Sequence, residues 1–233
     1  MMRRAVWARC AARFAPGSRV LEMNCGTGED ALWLARQGMH VLATDVSPRM
    51  LQIARDKLAG TAEGARVALR QLAWEDLGSL NAGPFDAALS NFGGLNCVAD
   101  LGAAARALAA QLRPGAVALL CIMGPVVPWE WAWYLAHGDP ARAFRRLRRN
   151  VAPWSGVAIR YPSVAATRRA FAPDFRVLRR SAIGALLPPP YTESWAGRSP
   201  RVIAALDRLE RRLDTLWPLP MLADHYLVEL ERS

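Results

Sequence analysis

With 233 residues and 52% hydrophobic content, the chain is long enough to bury a substantial core, and one α/β domain with embellishments is expected. No apolar run reaches the ~18 residues of a membrane span, and although Arg3 and Arg4 stand at the N-terminus, Arg9 and Arg13 interrupt what would have to be an apolar signal core, so a cytoplasmic setting is expected. The formal charge of +10 is almost wholly arginine, with Lys57 the one lysine among 30 basic residues, which permits an anionic partner without naming one. Cys10, Cys25, Cys97 and Cys121 lack paired metal spacing, so free thiols and no metal are expected.

In chain order, Val6, Trp7, Cys10, Ala11 and Phe14 predict a first helix that ends before Pro16-Gly17. Val20, Leu21 and Met23 then run into a turn over residues 24–28, and Ala31, Leu32, Leu34 and Ala35 continue as a helix. Gly26 and Gly28 let backbone N–H groups approach a ligand, at the positive end of the new helix. A nucleotide-like ligand is the natural occupant. The run Gly26-Thr27-Gly28-Glu29-Asp30-Ala31 also satisfies the dinucleotide fingerprint, which keeps a nicotinamide cofactor open. Glu29 and Asp30 stand where a pyrophosphate would sit, although acids in a first turn also simply complement the helix dipole. Glu22, an acid inside the apolar strand, needs a partner. A ligand with an ammonium and a sulfonium but no phosphate would suit these three acids.

Residues 40–45 predict a second strand ending in Asp45. Ser47-Pro48 opens a helix that Gly60 stops, and residues 67–72 form a third strand leading to Ala73-Trp74-Glu75-Asp76-Leu77. Residues 85–89 are a fourth strand, followed by the polar, glycine-rich loop Ser90-Asn91-Phe92-Gly93-Gly94-Leu95-Asn96. Ligands collect at such strand ends, so Asn91, Phe92 and Asn96 are binding candidates, while Asn and Gly also simply make turns. A helix over 100–112 and a buried strand over 116–123 follow, and residues 175–180 and 224–230 read as the last two strands.

Val20-Leu21-Glu22-x-Asn24-Cys25-Gly26-Thr27-Gly28 resembles the first motif of class I S-adenosylmethionine-dependent methyltransferases, and residues 40–47 resemble their second strand with its terminal acid. The resemblance implies an α/β fold, a doubly wound, mostly parallel, seven-stranded sheet of order 3-2-1-4-5-7-6, in one domain with helical insertions after strands five and six. It implies S-adenosyl-L-methionine as cofactor. Glu22, Asn24, Cys25, Gly26, Thr27 and Gly28 would lie along its methionine part, Asp45 would hold the ribose with Val46 and Met50 beside it, and Trp74, Glu75 and Asn91 would complete the site. Asn24 stands where the family most often has glycine, and Asn is the non-Gly residue most tolerant of left-handed angles. Family members usually carry a longer N-terminal segment that closes over the cofactor, so either that lid is missing or the insertions supply it.

The insertions cover residues 124–174 and 181–223. The first carries Trp129, Trp131, Trp133 and Tyr134, then an Asp139-Pro140 cap and Arg142, Arg145, Arg146, Arg148 and Arg149. It reads as a helical pair whose Trp129, Trp133, Phe144 and Leu147 pack inward with arginines in water, as an aromatic substrate lid, or as a membrane-surface helix. Trp129, Trp133, Tyr161 and Tyr191 join Phe92 and Asn96 as candidates for substrate contact. His137, Glu130, Tyr161 and His225 are available as bases, but the stronger reading of His225 is structural, of His137 a helix end and of Glu130 an exposed side chain, so no catalytic residue is assigned. The expected activity is methyl transfer to a small-molecule or lipid-like acceptor, with peripheral membrane contact allowed. The alternatives are an NAD-dependent oxidoreductase and a basic RNA-binding protein or RNA methyltransferase; no base-reading or stacking motif accompanies the charge.

Overall fold

The computed structural model describes residues 2–148, 158–187 and 200–233. Seven strands form one sheet of order β3-β2-β1-β4-β5-β7-β6. They are β1 (Arg19–Met23), β2 (His40–Asp45), β3 (Val67–Gln71), β4 (Phe85–Ser90), β5 (Leu112–Met123), β6 (Phe175–Ile183) and β7 (His225–Arg232). The first five are parallel, and β7 runs antiparallel between β5 and β6. Because β7 is reversed, its first residue, His225, pairs with Met123 at the carboxyl end of β5. The sheet therefore gathers the ends of β1, β2, β4 and β5 and the start of β7 along one edge, where ligands bind in open α/β sheets.

Both faces of the sheet are covered, which explains the near-continuous apolar runs. Side chains alternate along each strand. Leu21, Met23, Leu120, Ile122 and Tyr226 pack on one face with Leu108 of α4 (Leu101–Gln111) and Phe171 of α7 (Val164–Phe171). Val20, Val41, Leu89, Cys121 and Leu227 pack on the other with Val6 and Cys10 of α1 (Met2–Arg13), Leu34 of α2 (Glu29–Arg36) and Leu51 of α3 (Pro48–Ala59). Arg9 and Arg13 fasten α1 across the sheet by reaching Glu229 on β7, with N–O distances of 2.5 and 2.7 Å. Among the described residues no helix is long and apolar enough to cross a membrane.

The insert differs from its expected form. It holds α5 (Pro128–Ala136), the single-turn α6 (Pro140–Ala143) and a 3-10 turn at Arg145–Leu147. Arg146 is buried while Phe144 and Leu147 are 38% and 50% exposed, so the charge points in and the apolar side chains point out. Glu130, expected to be exposed, is 1% exposed and receives Arg145 and Arg146 at 2.9 and 2.8 Å. The partner explains the inversion, because a buried guanidinium is tolerated when carboxylates meet it. The stretch before β6 is the separate helix α7, capped by Ser163 and tied to β7 by a 2.7 Å contact between Thr167 Oγ1 and Tyr226 OH. In the second insertion, α8 (Pro200–Leu213) buries Ile203 and Glu210, while Leu209 is 46% exposed. Glu210 accepts from the N–H groups of Gly184 and Leu186, both at 2.7 Å. Tyr191, Trp195 and Ser199 lie outside the described residues.

Candidate cofactor and acceptor site

The loop after β1 makes three left-handed turns, at Asn24 (φ 53°), Gly26 (φ 55°) and Gly28 (φ 76°). Glycine pays no Cβ penalty there, and asparagine pays the least among other residues, which is how Asn24 fits. Asp45, at the end of β2, holds this loop in shape: its carboxylate accepts from Gly26 N and Ser47 N, each at 2.9 Å. Val46 and Met50 are 64% and 40% exposed on the rim beside it. Cys25 is buried, and burial pushes its thiol pKa up. Lys57 bonds Glu29, lowering that carboxyl's pKa, and reaches Thr27 Oγ1 at 3.4 Å.

Asn24 spans from the end of β1 to the end of β4. Its Nδ2 donates to Asn91 O at 2.9 Å, and its Oδ1 accepts from Ser90 Oγ at 2.7 Å, with Trp74 Nε1 at 3.5 Å. Trp74 is buried beside it, and Glu75 is exposed. This bridge crosses the point where the strand order reverses.

Asp30 is the hub of the site. Read from sequence as a repeller of phosphate or a helix-dipole acid, it is 4% exposed and accepts from Trp7 Nε1 (2.6 Å), Arg3 Nη1 (2.5 Å) and Asn91 Nδ2 (2.9 Å). The helix α1, on which Trp7 also stacks on Trp33 of α2 with ring centroids 5.1 Å apart, is thereby drawn over the loop. Glu22 is fully enclosed, its Oε2 without a partner, and burial pushes its pKa well up, with Asp30 adding repulsion and Arg3 opposing it. Asn91 Oδ1 is likewise buried with no partner. Two orphaned acceptors around one carboxylate call for a cationic donor, so the residues present fit a ligand bearing an ammonium group.

Toward β7, Phe92 meets His225 edge-on at 5.1 Å, and the Arg3 guanidinium lies 5.0 Å above the Phe92 ring. His225 Nδ1 is 2.9 Å from Asp224 Oδ2, a contact that is an ion pair only when the imidazole is protonated. Asp224 Oδ1 is 2.5 Å from Arg146 Nη2. Burial opposes ionisation of Asp224, but His225 and Arg146 outweigh it and hold its pKa down at about 2. The opposite holds for Glu130, where burial outweighs both arginines and raises the pKa. Only the folded chain shows this chain of charges, because its members are scattered over the sequence.

The remaining candidates sit as follows. Asn96 is fully buried, its Nδ2 donating to Met123 O and Arg160 O and its Oδ1 accepting from Met123 N. Trp129 and Trp133 are half-buried on α5, and Trp133 stacks on His137 at 4.3 Å. The Arg146 guanidinium lies 5.2 Å from the Tyr161 ring. Tyr191 falls outside the described residues. The fold thus brings Glu22, Asn24, Asp45, Trp74, Asn91 and Phe92 together at the carboxyl ends of the parallel strands.

Comparison with known proteins agrees with this geometry. Residues 20–115 match the family described as a methyltransferase domain. The "Ubiquinone biosynthesis O-methyltransferase" of Xylella fastidiosa (strain 9a5c) is 41% identical over 99 residues, which is 42% of this chain and 39% of that protein. Its namesake from Xanthomonas axonopodis pv. citri (strain 306) is 39% identical over 105 residues, 45% of this chain and 43% of that one. The chain thus spans well under half the length of these curated relatives. Among solved structures, an S-adenosylmethionine-dependent methyltransferase from Mesorhizobium loti superposes over 100% of both chains with a TM-score of 0.64 at 21% identity. The CcbJ methyltransferase from Streptomyces caelestis does so over 100% of this chain and 89% of its own, with a TM-score of 0.65 at 17% identity. Residues 20–115 therefore resemble the methyltransferase domain family, and the chain as a whole shares its fold with solved S-adenosylmethionine-dependent methyltransferases.

Proposed function

We propose that this protein transfers a methyl group from S-adenosylmethionine to a hydroxyl of a small, largely apolar molecule. The observation that carries the reading is the pair of orphaned acceptors, Glu22 Oε2 and Asn91 Oδ1, beside a loop whose Gly26 N–H is fixed by Asp45. When bound, the cofactor supplies a methyl carbon on a positively charged sulfur. Glu22, Asp30 and Asn91 would face its ammonium group, Asp45 would lie on the ribose side, and Trp74 would back the adenine. Much of the catalysis in such an in-line displacement comes from positioning the acceptor oxygen. His225, oriented by Asp224, takes the hydroxyl proton on Nε2. The name of the relatives supports oxygen as the acceptor atom. The described parts of the insert, residues 124–148 and 158–174, would wall the acceptor side.

Calorimetry with S-adenosylmethionine, its demethylated product and NAD tests the reading. Saturable binding of the first two is expected. Absence of binding at millimolar concentrations of both, or preference for NAD, would sink it.

A further inference from the structure

A cavity of about 620 Å³ opens beside the loop that follows β4, bounded by the start of α4, the residues after β5, the insert and α7. Its volume lies within the ~300–1,000 Å³ range of small-molecule sites. Leu95, Val98, Leu101, Pro125, Ile159 and Pro162 give it an apolar body, and the charged side chains that line it are Arg146, Arg148 and Arg160. Among the described residues no acidic side chain lines it.

The three arginines differ in how far their charge is met. Arg146 is 8% exposed and surrounded by Glu130 and Asp224, yet its Nε–H remains a buried donor without a partner. Arg148 and Arg160, at the exposed end, have no acidic partner among the described residues. Two cationic charges and one orphaned donor thus converge on an otherwise apolar cavity. The wall that carries Arg160 is held in place: Asn96 Nδ2 donates to Arg160 O at 2.6 Å, and Arg160 N donates to Asn96 O at 2.7 Å. Leu95, in the cavity wall, directly follows Gly94, against which Asn24 packs.

We propose that this cavity binds an apolar molecule carrying a single anionic head, a carboxylate or a phosphate, with the head on Arg148 and Arg160 and the apolar body along Leu95, Val98 and Ile159. The assignment deepens the proposed function by naming the class of acceptor, and in that respect rests on it. Guanidinium groups suit both heads because their planar fork matches either one. The apolar body formed by Leu95, Val98 and Ile159 favours a small amphiphile over a nucleic acid, which is held along a basic groove that tracks its backbone.

The test is calorimetry on the whole chain without cofactor, using dodecanoate, dodecyl phosphate and dodecanol below their aggregation concentrations. Binding of at least one anion, at least about tenfold tighter than dodecanol, is expected from loss of a charge-assisted contact. The ratio of dodecanoate to dodecyl phosphate affinity identifies the head. The double variant Arg148→Gln/Arg160→Gln, both at exposed positions, should lose about tenfold or more for the anion while leaving dodecanol unchanged. Ala166→Leu, which adds bulk to the cavity wall, should weaken all three ligands. Equal affinity for anion and alcohol, undiminished anion binding by the double variant, or binding only of a single-stranded RNA oligomer would overturn the assignment. Because no cofactor is present, intact amphiphile binding together with failed cofactor calorimetry would discard methyl transfer and leave the cavity's ligand class standing.

Discussion

Asn24 and Gly94 are in such close contact that a Cβ built on Gly94 would lie 1.9 Å from Asn24 Cγ. The asparagine at the family's usual glycine position is therefore matched by a glycine where the β4 loop passes it. Gly94→Ala should destabilise the protein by about 3 kcal/mol or more, since backbone and a hydrogen-bonded side chain would both have to move. Asn24→Gly alone should cost only about 1–2 kcal/mol for the lost hydrogen bonds. In the Asn24→Gly background Gly94→Ala should become nearly neutral, and urea denaturation of the four proteins in a double-mutant cycle measures this. Additive losses would mean that the two positions do not meet.

Asp45 shapes the glycine loop through Gly26 N and Ser47 N, and the proposed function places it beside the ribose. Asp45→Ala should weaken S-adenosylmethionine binding by about 1.5–3 kcal/mol, read by calorimetry. Unchanged affinity in a folded variant would remove Asp45 from the site.

Glu22 should respond to pH in the sense opposite to an ordinary ion-paired acid. Burial raises its folded pKa, so the native state binds the extra proton, and stability falls as pH rises from the ordinary carboxylate range to the raised value. Glu22→Gln should therefore raise the melting temperature of the cofactor-free protein at neutral pH and flatten that decline. The same substitution should weaken cofactor binding, because the acceptor facing the ammonium is no longer charged. A variant that melts lower at neutral pH without ligand would contradict the buried, unpaired state of this carboxyl.

Asp224 gives the converse acid limb. Its pKa, depressed from 3.8 to about 2, contributes stability that is complete above about pH 4 and lost as pH falls through about 2. The contribution is roughly 2 kcal/mol at neutral pH, the free-energy equivalent of that shift. Asp224→Asn should lower stability at pH 7 and reduce its slope between pH 4 and 2, checked by chemical denaturation across that range. A steeper slope in the variant would overturn the assignment.

The readable part of the site was local. Asn24, Gly26 and Gly28 sit within one turn and Asp45 ends the next strand, so residue types with known backbone preferences marked the loop before any fold was in view. The strand order followed from the resemblance carried by those residues. What was misread lay in the insert, where Phe144 and Leu147 look inward by hydropathy and Arg146 looks outward. Only Glu130 and Asp224, the latter 78 residues from Arg146, reverse that reading. Helix α7 was absorbed into the insert because its apolar positions Val164 and Phe171 are separated by arginines that solvate its outer face.

The sequence by itself determined the strand, glycine turn and helix at residues 19–36 and the acid at the end of β2, because left-handed backbone angles and helix starts depend on neighbours a few residues away. Tertiary structure alone decided which charges are buried and what they do. Asp30 meets Asn91 across 61 residues and Glu229 meets Arg9 across 220, and a buried charge is tolerated only where such a partner arrives in space.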